Sequence, residues 1–220
     1  METLQQILTW MPVLLTAAVK VTLFLTVTSV PTALVFGVFL ALGKLSKNVI
    51  INKICTAYVF FFRGTPLLIQ LFVIYFALPL INPIFDTGSR EMAAYIAFSL
   101  NIAAYLAEII RAAIESIDNG QMEAARSLGL SYGQAMRLVI IPQSYKRMIP
   151  PICNEFVMVL KDTALVSIIS LPDLAFVTKN IASNKASAIV YIPALLIYLI
   201  MTAAFTFVFD KLEKKFSVYE

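Results

Sequence analysis

Two pairs of polar side chains in the apolar stretches of this chain have a spacing suited to binding a cationic solute. Asn101 and Glu108 are seven residues apart, and so are Glu155 and Asp162. In a helix, this spacing places both members of a pair on one face. If the two faces look into the same space, they form an acidic lining with hydrogen-bonding groups. Such a lining would bind an ammonium group or a cationic side chain.

A basic residue lies next to a predicted helix break in another apolar stretch. Arg63 is followed by Gly64, Thr65 and Pro66, and glycine and proline both loosen a helix. The Arg63 guanidinium could bind the carboxylate of a solute through paired hydrogen bonds. It could instead neutralise Asp162. With Thr65, this segment supplies two further candidate substrate-binding residues.

Internal ion pairs are the alternative for the remaining charges. Glu108 can pair with Arg111, three residues further along the same helix, and both interpretations of Glu108 stay open. Lys161 can neutralise Asp162, and for these two residues a structural or gating pair is favoured. Glu155 has no basic residue three or four positions away, which favours substrate contact for its side chain.

Composition indicates a multi-pass membrane protein. Hydrophobic residues make up 60% of the 220-residue chain, charged residues 14%, and the mean hydropathy is +0.86. Soluble domains are typically about 45–50% apolar and about 25% charged. The chain has no histidine and two well-separated cysteines, so histidine-based catalysis is excluded and neither an enzyme nor a metal site is expected. The net charge of +4 indicates anchoring at a membrane surface, with no sign of nucleic-acid binding.

The apolar stretches predict an all-α protein with five transmembrane helices in a single domain, residues 1–220. The predicted spans are 14–43, 54–81, 92–114, 150–171 and 187–210. Lys and Arg residues concentrate on one side of these spans, above all in the long loop 116–148. Because cytoplasmic loops are rich in Lys and Arg, the N-terminus is predicted to lie outside and the C-terminus in the cytoplasm.

The loop 116–148 contains a short predicted helix that covers residues 121–128. Glu123 lies in its first turn, where a negative charge suits the helix dipole. Ala124 and Ala125 offer a small surface that another protein can approach closely. Gly129 can adopt the left-handed conformation that ends a helix.

A second helix is predicted further along the loop. Ser131 and Gln134 fit a capping box at its start, and Pro142 is expected to end it. The alternative for the whole loop is an amphipathic helix on the membrane surface. The segment 121–128 is short and lacks the bulky apolar anchors that such helices need.

The spacing of this loop resembles the signature loop of permease subunits of ATP-binding-cassette importers. The matching pattern is Glu123-Ala124-Ala125, three residues, Gly129, nine residues, Val139, one residue and Ile141-Pro142. The family prefers Ile and Leu where this chain has Val139 and Ile141. The segments 62–68, 99–109, 116–121 and 160–165 resemble the branch of that family that imports polar amino acids.

This resemblance implies a type I importer fold with a division of labour between subunits. A dimer of cytoplasmic ATPase subunits would bind ATP and Mg, and this chain would carry no cofactor. A second permease subunit, identical or related, would complete the pathway, and an extracytoplasmic binding protein would deliver the amino acid. The assembly would lie among lipids in the cytoplasmic (inner) membrane of a prokaryote. The residues implied in coupling to the ATPase are Gln121, Glu123, Ala124, Ala125, Arg126 and Gly129.

The resemblance also bears on the substrate. Asn154 and Glu155 are similar to a pair in permeases for cationic amino acids, which favours Arg, Lys or His. The alternative function is a stand-alone, ion-coupled secondary transporter, in which Glu108, Glu155 or Asp162 binds a proton or a cation. That alternative leaves the loop 116–148 without a role.

Overall fold

The computed structural model describes residues 2–217, which form helices joined by short turns, with no strand in that range. Three of the helices contain a π-helical turn. The helices are α1 (Glu2–Ala17, π-helical Ala18–Leu23, Phe24–Lys44), α2 (Val49–Gly64), α3 (Leu67–Phe72, π-helical Val73–Ala77, Leu78–Ile81), α4 (Arg90–Glu115), α5 (Asn119–Ser127), α6 (Tyr132–Ala135, π-helical Met136–Ile140, Ile141–Asp162), α7 (Leu174–Lys185) and α8 (Tyr191–Ser217). Short 3-10 segments lie at Pro83–Phe85, Thr163–Ile169 and Ala188–Val190.

The centre of the fold is the contact between α1 and α4. One face of α4 is rich in buried alanines, and Gly37 of α1 lies against it. A Cβ atom at Gly37 would be 3.0 Å from the Leu106 Cβ and 3.2 Å from the Ala103 carbonyl oxygen. Small residues allow this approach between helices in lipid, where van der Waals packing replaces the hydrophobic driving force.

Within residues 2–217, three helices are long and apolar enough to cross a bilayer, and they are Gln5–Lys44, Arg90–Glu115 and Ala188–Lys215. The helices α2 and α3 together make a fourth candidate if they count as one bent span. The predicted span 150–171 is not among these candidates, so the predicted count of five is not confirmed. Charged residues dilute the apolar character of α6, which also gives way to a 3-10 segment after Asp162.

The predicted second span, residues 54–81, is two helices. The axes of α2 and α3 differ by 101°. Thr65 and Pro66 both have extended backbone conformations between them. A proline has no N–H for a helical hydrogen bond, and the residue before it is pushed toward extended conformations. The sequence Gly64-Thr65-Pro66 therefore breaks the helix at this point.

The prediction that Pro142 ends the helix after the loop is wrong. The helix α6 continues to Asp162, and Pro142 lies in its first turn after the π-helical segment Met136–Ile140. A π-helical turn changes the hydrogen-bond register locally. A residue without an N–H is tolerated next to such a change in the hydrogen-bond ladder.

Candidate functional site

A cavity of about 360 Å³ lies between the break in α2–α3, the middle of α4 and the end of α6. Its walls are partly apolar and partly charged. The lining residues are Arg63, Gly64, Thr65, Pro66, Leu67, Phe98, Asn101, Ile102, Tyr105, Glu155, Met158, Val159 and Asp162.

The cavity brings together most of the residues that the sequence suggested for substrate binding. Arg63, Thr65, Asn101, Glu155 and Asp162 all line it. The two carboxylates come from α6, the guanidinium from the end of α2 and the amide from α4. A solute in this space would therefore meet two acidic groups and one basic group.

The charged groups of the cavity are not neutralised by close ion pairs. Among the described residues, no salt bridge within 4.0 Å joins Lys161 or Arg63 to Asp162. The Arg63 guanidinium instead stacks over the Tyr105 ring, with its carbon 5.3 Å from the ring centroid. Tyr105 was not among the predicted site residues. A signal for it exists in the sequence, because Tyr105 is four residues after Asn101 and shares its helical face.

Two buried amides hold the break that forms one wall of the cavity. The Gln70 Nε2 atom donates to the Phe62 carbonyl oxygen at 2.9 Å, to the Thr65 carbonyl oxygen at 3.0 Å and to the Thr65 hydroxyl at 2.7 Å. The Asn101 Nδ2 atom donates to the Phe62 carbonyl oxygen at 3.1 Å and to the Gln70 Oε1 atom at 2.9 Å. Gln70 was also not predicted, and its only signal is its polarity within an apolar run.

Glu108 lies outside the cavity, in a cluster of charges near the ends of α1 and α4. Its carboxylate accepts a hydrogen bond from the Lys44 Nζ atom at 2.6 Å and also pairs with Arg111. Arg111 in turn pairs with Glu115. The internal ion pair weighed for Glu108 is thus present, and its position gives no support to the substrate-binding interpretation.

The helix α5 follows this cluster directly. The Asp118 side chain caps it by accepting from the Gly120 N–H at 2.7 Å. Gly129 follows the helix with φ of +86°, the left-handed conformation expected at that position. The capping box of Ser131 and Gln134 at the start of α6 is also present.

The two alanines of α5 differ in exposure. Ala124 is exposed, whereas Ala125 is 4% exposed and belongs to the protein interior. The expectation that both form one outward surface is therefore wrong for Ala125. Leu128, at the end of the helix, is 85% exposed. The predicted coupling residues other than Ala125 lie on the exposed surface, and these are Gln121, Glu123, Ala124, Arg126 and Gly129.

Residues 33–218 match the protein family described as binding-protein-dependent transport system inner membrane component. The chain belongs to this family. The L-cystine transport system permease protein TcyL of Bacillus subtilis (strain 168) is 36% identical over 206 residues, which are 91% of this chain and 86% of the relative. The arginine transport system permease protein ArtQ of the same organism is 38% identical over 200 residues, 89% of each chain.

A solved structure agrees with these relatives. The structure described as "Crystal structure of an amino acid ABC transporter with histidines" has a TM-score of 0.88 and 37% sequence identity. The match covers 96% of this chain and 97% of that one. Together, the matches confirm the resemblance to permease subunits of ATP-binding-cassette transporters for amino acids. The type I importer fold expected from the loop is the fold observed.

Proposed function

We propose that this chain is the permease subunit of an ATP-driven importer that carries a polar amino acid, with a cationic amino acid favoured. The observation that carries the proposal is the joint lining of one cavity by Arg63, Glu155 and Asp162. An amino acid offers a carboxylate to Arg63 and an ammonium group to one acidic residue. The second acidic residue is then free for a cationic side chain. A cavity of about 360 Å³ lies within the range of about 300–1,000 Å³ common for small-molecule sites.

The relatives support the substrate class. TcyL is named for L-cystine, ArtQ for arginine, and the solved structure for an amino acid transporter with histidines. All three names refer to polar amino acids. The excess of acidic over basic groups in the cavity of this chain favours the cationic members of the class.

The mechanism we infer is alternating access driven by partner subunits. The exposed surface of α5, with Glu123 and Ala124 in its middle and Leu128 at its end, would dock in a cleft of a cytoplasmic ATPase dimer. That dimer would bind the ATP and Mg. A second permease subunit would complete the pathway, and an extracytoplasmic binding protein would deliver the amino acid.

We also infer the position of the chain in the membrane. The end of the bundle that carries α5 is rich in Lys and Arg and is assigned to the cytoplasm. The N-terminus then lies outside and the C-terminus inside, with α6 and the following 3-10 segment as a polar fifth span. Such a span is tolerated where its charges face a cavity and not lipid. The membrane is the inner membrane of a prokaryote.

The test is transport by a reconstituted complex. The chain would be purified with the ATPase and binding-protein subunits encoded near it and placed in liposomes. Uptake and ATP hydrolysis would be measured with arginine, lysine, histidine, glutamine, glutamate and cystine. ATP-dependent uptake of one or more of these amino acids is expected, strongest for a cationic one. Uptake that follows a proton or sodium gradient without ATP would instead favour the ion-coupled alternative, and no amino-acid uptake would contradict the proposal.

A further inference from the structure

We propose that Gln70 is a positioning residue for transport, because it fixes the break between α2 and α3 that forms the substrate cavity. Gln70 is 5% exposed and is not among the residues that line the cavity. Its role is therefore to hold other groups in place. This inference rests on the function proposed above, in which Arg63 and Thr65 contact the substrate.

The break creates a specific problem for one backbone group. In a continuous helix, the Phe62 carbonyl would accept a hydrogen bond from the N–H of residue 66. That residue is Pro66, which has no N–H. At membrane depth no bulk water is at hand, and a carbonyl without a hydrogen-bond partner is strongly unfavourable. A side-chain donor is needed here for the break to be stable.

Gln70 and Asn101 supply that donor from two directions. Both of their amide nitrogens lie within 3.1 Å of the Phe62 carbonyl oxygen. Gln70 also reaches the carbonyl and the hydroxyl of Thr65, which lies in the break itself. One buried side chain thus connects the last turn of α2, the extended residues of the break and α4.

The same contacts determine how the two amides are oriented. A carbonyl oxygen is only an acceptor, so the atom of Gln70 that faces Phe62 and Thr65 must be its nitrogen. The Gln70 oxygen then faces Asn101, which presents its nitrogen to Gln70 and to Phe62. The Asn101 nitrogen is occupied in this way. Its oxygen is the part of Asn101 that remains for a substrate, and an amide oxygen suits an ammonium group.

Substitutions at Gln70 separate this role from general packing. Gln70→Glu keeps the shape but places a carboxylate oxygen against two carbonyl oxygens. Gln70→Leu keeps most of the volume and removes every hydrogen bond. The double variant Pro66→Ala with Gln70→Leu restores an N–H at residue 66, so the Phe62 carbonyl regains a second donor beside Asn101 while the break can straighten. Gln5→Leu, at an exposed glutamine of α1, is the matched control.

The experiment measures ATP-dependent uptake, basal ATP hydrolysis and thermal stability of the reconstituted complex for each variant. We expect Gln70→Leu and Gln70→Glu to lower the kcat of uptake about tenfold or more, since misplacing groups at a site by about 1 Å can cost as much as a hundredfold. KM should change little, because the binding protein captures the amino acid. The double variant should recover thermal stability but not uptake.

Three outcomes would overturn the inference. Recovery of uptake together with stability in the double variant would show that the break needs no defined geometry. Normal uptake with Gln70→Glu would show that the donated hydrogen bonds are dispensable. A loss with Gln5→Leu equal to that with Gln70→Leu would show that the effect is not specific. Absence of ATP-dependent uptake in the unmodified complex would instead contradict the proposed function, so the two failures are distinguishable.

Discussion

The break between α2 and α3 and the helix α5 satisfy their polar backbone groups in different ways. At the break, the Phe62 carbonyl is bound by the buried amides of Gln70 and Asn101, which come from α3 and α4. In α5, the free end groups are satisfied locally by the exposed Asp118 side chain and by the turn at Gly129. The break depends on an amide from another helix, whereas the ends of α5 are capped by residues next to it in the sequence.

This difference separates the effects that substitutions should have in the two regions. A change at the break alters the cavity through the interior of this chain. A change on the surface of α5 leaves the interior intact and acts on whatever protein docks there. Single substitutions in each region, assayed for uptake and for stability, test that separation.

Gly129→Asp should lower ATP-dependent uptake about thirtyfold, which corresponds to about 2 kcal/mol at a central interface residue. Gly129 has φ of +86° with open space around it, so a side chain strains the turn and adds a charge to the surface that is proposed to contact the ATPase. Insertion in the membrane should be unchanged. Glu123→Arg should act in the same direction. The measurement is uptake together with ATP hydrolysis stimulated by the binding protein.

The matched control for that prediction is Gly133→Asp. Gly133 also has open space around it but lies in the first turn of α6, where an acidic residue suits the helix dipole. Equal losses at the two glycines, or normal uptake with Gly129→Asp, would show that α5 is not the coupling element.

Glu155→Gln should lower uptake of a cationic amino acid about tenfold and uptake of a neutral one much less. The charge-assisted hydrogen bond that is lost contributes about 1.5–3 kcal/mol. Competition between arginine and glutamine for uptake by the same liposomes measures the difference directly. If both amino acids lose the same fraction of their uptake, Glu155 does not recognise the cationic side chain.

Glu108→Gln should destabilise the complex by about 1 kcal/mol, and Glu115→Gln by less than half of that. Glu108 is 23% exposed and pairs with both Lys44 and Arg111, whereas Glu115 is 51% exposed and pairs with Arg111 alone. Thermal unfolding in detergent at low and high salt compares the two variants. A larger loss with Glu115→Gln would contradict the view that the cluster is organised around Glu108.

Asp173→Asn should have the smallest effect on transport and a visible one on the pH dependence of stability. Asp173 is fully buried and caps α7 by accepting from Phe176 and Ala175 N–H groups at 2.8 and 3.0 Å. Burial raises the pKa of its carboxyl from 3.8 to about 6, and these hydrogen bonds limit the rise. Because the pKa is higher in the folded state, the stability that this carboxyl contributes is fully present below about pH 4 and is lost, by up to about 3 kcal/mol, as the pH rises through about 6.

The asparagine introduced by that substitution would keep one acceptor oxygen for the cap of α7, in place of the two that Asp173 uses, and would not titrate. The fall in stability between about pH 4 and pH 6 should therefore be smaller in the variant than in the unmodified protein. Unfolding midpoints measured at several pH values give the comparison, and parallel profiles would contradict it.

The sequence predicted most of the polar residues that line the cavity, but not the hydrogen bonds that hold its walls in place. Arg63, Asn101, Glu155 and Asp162 were found because charge and amide groups are conspicuous in apolar stretches. Gln70 was not found, because its partners at Phe62 and Asn101 are brought to it only by the fold. Seven-residue spacing placed Glu108 on the face of Asn101, but seven residues of a helix extend about 10 Å. The middle of α4 therefore reaches the cavity while Glu108, nearer its end, reaches the charge cluster.

In the loop 116–148 too, features that depend on neighbours in sequence were predicted, whereas those that depend on tertiary packing were not. Its motif predicted the helix, the left-handed Gly129 and the capping box, all of which depend on neighbours in sequence. The motif could not show that Ala124 is exposed and Ala125 buried. Which face of α5 is buried depends on how α5 packs against α6. The helix α6 is not among the candidate spans, because charged residues such as Glu155 and Asp162, which line the cavity, lower its hydropathy.

The length of α1 has a consequence for the membrane itself. Its 40 residues from Gln5 to Lys44 extend about 60 Å, whereas the hydrocarbon layer is about 30 Å thick. Even at a tilt of about 40°, near the upper end of the usual range, it would cover about 45 Å. Its first turns, where Trp10 and Leu14 pack with Leu174 and Val190, then stand above the hydrocarbon. A thicker bilayer would bring these turns, and α7 packed against them, closer to the lipid.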